Sequence, residues 1–261
     1  MDLKISGRRA LVMSAGGGLG SEIALALAAE GVEMYLADRD AAALDVTAQR
    51  IREAGGNCSC YTWDLAQPNQ WQAGIEQVLQ RAGTIDILVN NTGGPPPGPA
   101  HGHSTAVWRN AFESMVLSVI GITDLLLPGM REQRWGRIIT STSSGVVAPI
   151  ANLGLSNATR ISLLGWSKSL AREVARDGVT VNVVVPGRIA TRRTQFLDAA
   201  RAEREGRAAD DIEKESAASI AMGRYGRPEE YADVVSFLAS ERASYVTGST
   251  VRVDGGLIAS I

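Results

Sequence analysis

The chain has 261 residues, 45% of them hydrophobic and 21% charged, with a formal net charge of −2. Such a balance suits a soluble globular protein with a substantial core and offers no basic field for nucleic acid or an anionic membrane surface. No apolar run of about 18 residues is read as a bilayer span, and the N-terminal MDLKISGRRALVMS lacks the apolar stretch of a signal peptide, so a cytoplasmic location is expected.

Apolar runs alternate with helical patterns from end to end. A buried strand is predicted over 8–14, an Ala/Leu-rich helix over 19–31 and a second strand over 32–39, followed by a helix over 40–54 that ends on Gly55-Gly56. The stretch CSCYTWD (58–64) reads as a third strand, and its Cys58 and Cys60 share one face. Two such cysteines without further partners make a poor zinc site, so no metal is expected. A helix from Pro68, a strand over 85–91, one long helix over roughly 105–133, the strand GRIITSTS, a helix over 155–177 and the strand TVNVVVPG come next. The chain closes with the helix PEEYADVVSFLAS and the strand GSTVRVDGG. Strands rich in Val, Ile and Leu, separated by helices, predict one α/β domain: a doubly wound parallel sheet covered on both faces. The charged stretch 192–224 interrupts this alternation and is expected to be a helical lid over the carboxyl ends of the strands.

Between the first strand and the first helix lies SAGGGLG. Gly16, Gly17, Gly18 and Gly20 allow the backbone to approach a pyrophosphate, and the following helix N-terminus offers it unpaired N–H groups. Asp38 ends the second strand, where a carboxylate accepts from ribose hydroxyls and repels a 2′-phosphate, while the adjacent Arg39 could clasp one. NAD is therefore expected, with NADP as runner-up.

Taken in order, MSAGGGLG, Asp64-Leu65, LVNNTGG (88–94), VNVVVPGRIAT (181–191) and GRYGRPEEYADVVSFLAS…YVTGSTVRVDGG (223–256) resemble the short-chain dehydrogenase/reductase family, in particular its 3-oxoacyl-[acyl-carrier-protein] reductase-like branch. Met13 and Ser14 stand where that family has Thr and Gly. The resemblance covers nearly the whole chain. It implies that Ser14, Gly16, Gly18, Leu19, Gly20, Asp38, Arg39, Asp64, Leu65, Asn91, Gly93, Pro186, Gly187, Ile189 and Thr191 hold the cofactor. It also implies a homo-oligomer, a tetramer before a dimer, assembled through 105–133, 155–177 and 245–256.

The catalytic positions depart from the family. A serine there orients the substrate carbonyl, a tyrosine thirteen residues later moves the proton, and a lysine four further lowers the phenol pKa; an asparagine on the preceding long helix supports a water relay. Here Ser143 is retained, but Ser156, Arg160 and Met115 occupy the other three positions. A serine hydroxyl is too weak an acid without a strong base beside it, and a guanidinium binds anions better than it gives up a proton. His101 and His103, in the loop GGPPPGPAHGHST, are the only histidines, and an exposed structural role is the expectation for both. Ser143, Ser156 and Arg160 are therefore the candidate catalytic set, for an oxidoreductase acting on a ketone or secondary alcohol by an altered proton path. The alternatives are a non-redox enzyme and a nucleotide-binding pseudo-enzyme. The expected partner is a small molecule, and a buried guanidinium needs acceptors, so Arg160 is expected to meet an anion on the cofactor or substrate.

Overall fold

A computed structural model describes residues 1–261. Seven parallel strands form one sheet: β1 (Arg9–Met13), β2 (Glu33–Asp38), β3 (Cys58–Thr62), β4 (Ile87–Asn90), β5 (Gly136–Ser141), β6 (Val179–Pro186) and β7 (Thr250–Val253). Their order across the sheet is β3-β2-β1-β4-β5-β6-β7. The helices are α1 (Gly18–Ala29), α2 (Ala41–Glu53), α3 (Pro68–Ala82), α4 (Thr105–Phe112), α5 (Ser118–Glu132), α6 (Gly154–Val174), α7 (Arg192–Glu205), α8 (Ala209–Ala218) and α9 (Pro228–Leu238).

The alternation of side chains along each strand builds two cores. On β1, Ala10 and Val12 join Ile23 and Leu27 of α1, Leu44 and Ile51 of α2, and Tyr231 and Val235 of α9 on one face. Leu11 and Met13 point the other way, to Trp71 and Ile75 of α3, Ile122 and Leu126 of α5, and Leu170 and Val174 of α6. A strand buried on both faces reads as a near-continuous apolar run, and VTVNVVVP of β6 is buried along its whole length. Its one amide, Asn182, bonds the Val246 carbonyl and the Ser249 N–H.

The sheet order reverses between β1 and β4. At that point the carboxyl ends of neighbouring strands feed helices on opposite faces and open a crevice where such sheets take ligands.

Two expectations are corrected. The long helix over 105–133 is broken: a π-helical turn over Glu113–Leu117 separates α4 from α5. One residue too many in the helical register widens the turn and re-aims the side chains beside it, Met115 among them. The stretch Thr105–Glu132 is also long and apolar enough to cross a membrane by length and composition, contrary to the expectation that no such run exists. Here it packs against α3 and α6. The charged stretch 192–224 contains α7 and α8, laced by ion pairs of Arg201 and Arg207 with Glu205 and Glu215.

Candidate active site

A cleft of about 1480 Å³ runs along the carboxyl ends of the strands. Ordinary small-molecule pockets hold roughly 300–1,000 Å³, so this one has room for a dinucleotide and a second molecule together. At one end lies the glycine turn. Gly18 adopts φ +57°, and a Cβ on Gly20 would sit 2.1 Å from the Ser14 carbonyl oxygen, so only glycine fits there. Ser14, where the family pattern has glycine, takes φ 49°, a left-handed conformation that favours glycine. The helix α1 then begins with Gly17 at its N-cap and no side chain bonded to its first N–H groups. Those free donors, with a Cβ-free approach, fit a pyrophosphate.

Asp38 and Asp64 line the cleft near the carboxyl ends of β2 and β3. Asp38 Oδ2 accepts from the Gly16 N–H at 2.9 Å and Oδ1 from the Asp40 N–H at 3.1 Å, so its carboxylate is tied back against the turn. Arg39 is exposed, lines the cleft and has no hydrogen-bonded carboxylate partner. Asp64 Oδ1 accepts from the Ala66 N–H, and Leu65 lies beside it in the cleft wall. Asn91 donates weakly to the Ser14 carbonyl at 3.5 Å and joins the end of β4 to the turn.

Farther along, the cleft is lined by Gly93, Pro186, Gly187, Ile189 and Thr191, and then by Ser143, Ser156, Arg160 and Met115. Ser14, Gly18 and Leu19 also line it, whereas Gly16 and Gly20 lie behind the turn. Thr191 caps α7 by accepting from the Thr194 N–H, which sets that helix going from the cleft edge.

Ser143 caps a short helical turn, its Oγ accepting from the Gly145 N–H at 3.1 Å. That bond leaves the hydroxyl proton free to be donated. Ser156, on the first turn of α6, is buried but for 7%. Met115 is brought against α6 by the π-helical turn, where Thr159 points its hydroxyl at the Met115 sulfur, 3.7 Å away.

Arg160 has no carboxylate partner within the protein. The guanidinium is 6% exposed, and its acceptors are three backbone carbonyls: Gly93 at 2.9 Å, Thr92 at 3.0 Å and Ser141 at 3.4 Å. Carbonyl dipoles compensate a buried cation only in part. Burial, and next the nearby Arg193 cation, pull its pKa down to about 10, with Tyr231 opposing. Arg193, on α7, was not singled out from the sequence beyond its place in the charged stretch. The only available signal was its position two residues past Thr191.

No tyrosine, lysine or histidine lines the cleft. Tyr231 is wholly buried behind β5, paired with the Ser141 hydroxyl at 2.8 Å. Lys168 bonds the Gly248 carbonyl, and His103 bonds the Pro99 carbonyl and sets its ring edge-on to Trp108. Cys58 and Cys60 are free thiols on the far edge strand.

A family model described as Enoyl-(Acyl carrier protein) reductase matches residues 14–258. The chain belongs to the short-chain dehydrogenase/reductase family. It is an oxidoreductase. Among curated proteins it is similar to the 3-oxoacyl-[acyl-carrier-protein] reductase FabG of Escherichia coli K12, 35% identical over 258 residues, covering 98% of this chain and 99% of that one. Among solved structures it is similar to L-sorbose reductase from Gluconobacter frateurii, complexed with NADPH and L-sorbose, at 32% identity and TM-score 0.94 over 100% of both chains. It is also similar to YwfH, an NADPH-dependent reductase involved in bacilysin biosynthesis, at 27% identity and TM-score 0.93, covering 98% of this chain and 100% of that one.

Proposed function

We propose that this protein interconverts a ketone and a secondary alcohol with NADP(H), moving the proton without a tyrosine. One observation carries the reading: a single cleft joins the glycine turn and open N-terminus of α1 to Ser143 and Ser156, with no phenol, ammonium or imidazole in its wall. When bound, the nicotinamide supplies or takes the hydride. The residues proposed to hold it are Ser14, Gly18, Leu19, Asp64, Leu65, Asn91, Gly93, Pro186, Gly187, Ile189 and Thr191. Gly16 and Gly20 shape the turn from behind.

The preference for NADP reverses the expectation of NAD. Both relatives named above with a cofactor use NADPH. Each oxygen of the Asp38 carboxylate already accepts one backbone N–H, while Arg39 stands uncommitted at the rim, free to clasp a 2′-phosphate. Ser143 donates a hydrogen bond from its free hydroxyl to the substrate carbonyl oxygen, and the Ser156 hydroxyl gives that oxygen a second partner. Neither serine is acidic enough to be deprotonated, so a water molecule gives the alkoxide its proton and leaves as hydroxide. General acids contribute typically ~10²–10⁴-fold, so turnover is slower by about that factor than with a phenol in place. Arg160 holds the floor of the cleft rigid by tying the ends of β4 and β5 together. The helices α7 and α8 form the lid, and exposed Phe112, Leu117, Leu125 and Ile161 form part of the face through which a homotetramer, or failing that a dimer, assembles.

Titration of the protein with NADPH and NADH, followed by NADPH consumption over a panel of ketones, tests the reading. Binding of NADPH with measurable consumption supports it. Failure to bind either nucleotide at millimolar concentration refutes it.

A further inference from the structure

Two guanidinium groups flank one short loop in the substrate half of the cleft. Arg160 reaches up from α6 and bonds the Thr92 and Gly93 carbonyls, and Arg193 reaches across from α7 and bonds the Pro95 carbonyl at 2.7 Å. Arg193 lies over Gly94 so closely that a Cβ there would be 3.0 Å from its Nη2. All the protein acceptors of both groups are backbone carbonyls. The other arginines lining this end of the cleft have carboxylate partners: Arg188 pairs with Asp198, and Arg201 and Arg204 pair with Glu205. A guanidinium carries five N–H donors. Three are used on Arg160 and one on Arg193, so two and four are left without an acceptor in the protein. Among the cleft residues the only carboxylates are Asp38 and Asp64, both near the carboxyl ends of β2 and β3. Two neighbouring, partly desolvated cations repel one another, and backbone carbonyls compensate them only in part.

We propose that Arg160 and Arg193 together bind a carboxylate carried by the carbonyl substrate, so that this enzyme acts on oxo acids and their hydroxy acids. The proposal rests on the reading that the cleft takes a cofactor and a carbonyl compound side by side. Arg193 supplies most of the free donors and the specificity, because it sits on α7 at the cleft edge and is only half-buried. Arg160 fixes the charge from below. The carboxylate then takes the place of the missing carboxylate partner, and the contact of α7 with the 92–95 loop closes over it. Thr191, at the start of the same helix, lies 3.9 Å from where a Cβ of Gly18 would be, so the same closure brings α7 over the pyrophosphate turn.

The test uses the full-length protein saturated with NADPH, and pyruvate, acetoacetate and levulinate, each beside its methyl ester. The series varies the spacing of ketone and carboxylate. Binding is read as displacement of the thermal unfolding curve across a concentration series, which needs no turnover. At least one acid is expected to bind about tenfold or more tightly than its ester, the selectivity of a charge-assisted pair. Arg193→Met is expected to abolish the difference while leaving NADPH affinity within about twofold, and Arg193→Lys to restore part of it. Equal binding of every acid and its ester overturns the proposal. So does an Arg193→Met variant that weakens NADPH while keeping the acid preference, since the anion at that site is then the cofactor's own phosphate. If the acid binds as stated but NADPH is not consumed, the carboxylate site stands and the redox reading fails.

Discussion

Arg160→Met separates a structural guanidinium from a functional one, because its effect on stability can be bounded beforehand. The substitution keeps an unbranched stem in the buried slot and deletes the charge. Two of the lost bonds are short, at 2.9 and 3.0 Å, while the one to Ser141 at 3.4 Å counts for little. Charge-assisted hydrogen bonds contribute about 1.5–3 kcal/mol each, so the gross loss is about 3–6 kcal/mol. Set against it is the relief of burying a cation. A pKa pulled down to about 10 corresponds to about 3 kcal/mol against the charged form. Thr92 is half-buried and Gly93 exposed, so water can reach their freed carbonyls. The net destabilisation expected is therefore about 1–2 kcal/mol, or a fall in Tm of about 3–6 °C for a chain of this size. Binding of the oxo acids should weaken by about tenfold or more, a loss of about 1.4 kcal/mol or more in binding free energy. Calorimetric unfolding, paired with the acid and ester titrations, reads both quantities on the same sample. A fall in Tm beyond about 10 °C with unchanged acid preference would show that Arg160 is only a clamp between strand ends, and would refute the reasoning.

Arg39→Ala should weaken NADPH by about tenfold or more and leave NADH unchanged, read by fluorescence titration; equal losses for both nucleotides would return the preference to Asp38. The double variant Ser156→Tyr with Arg160→Lys should not produce robust ketone reduction, because Met115 still occupies the position of the water relay and the 92–93 carbonyls lose their planar donor. A large gain in NADPH consumption from those two changes would show that the family's own acid pair had simply decayed. Glu230 is held at about 2, first by the Arg224 side chain and next by the Arg227 backbone N–H. Its folded-state pKa lies below the unfolded one, so its contribution is present above pH about 4.5 and is lost as pH falls towards 2. Glu230→Gln should flatten that part of the acid unfolding profile, measured by circular dichroism, and an unaltered profile would remove Glu230 from the account.

The architecture was legible because its physics is local. Strands such as ILVN and VTVNVVVP are predominantly apolar, and the helices between them carry an apolar stripe, so a doubly wound sheet is close to the only arrangement that buries both. The departures at Ser156 and Arg160 were legible too, since spacing along one strand and one helix locates them. The π-helical turn at Glu113–Leu117 was not. Its residues continue the apolar pattern of a plain helix, and one extra residue per turn leaves no mark in composition. The partners of Arg160 were hidden for another reason: carbonyls at 92, 93 and 141 carry no sequence identity. Arg193 was passed over within a charged stretch because only the fold shows that it, unlike Arg188 and Arg201, lacks a carboxylate. Asp38 is conspicuous in the sequence, but the Gly16 and Asp40 N–H groups that bond its carboxylate carry no sequence signal.

The central claim is that a cleft without tyrosine, lysine or histidine still transfers hydride, and single-turnover mixing tests it most directly. Excess protein with NADPH deuterated on one face of the nicotinamide is mixed with the oxo acid that binds best, and the hydroxy acid is analysed by mass. The account predicts one deuterium per product from a single face, at a rate about 10²–10⁴-fold below that of a reductase with a phenolic acid. NADPH that binds and is never consumed, with the oxo acid seated beside it, would contradict the claim.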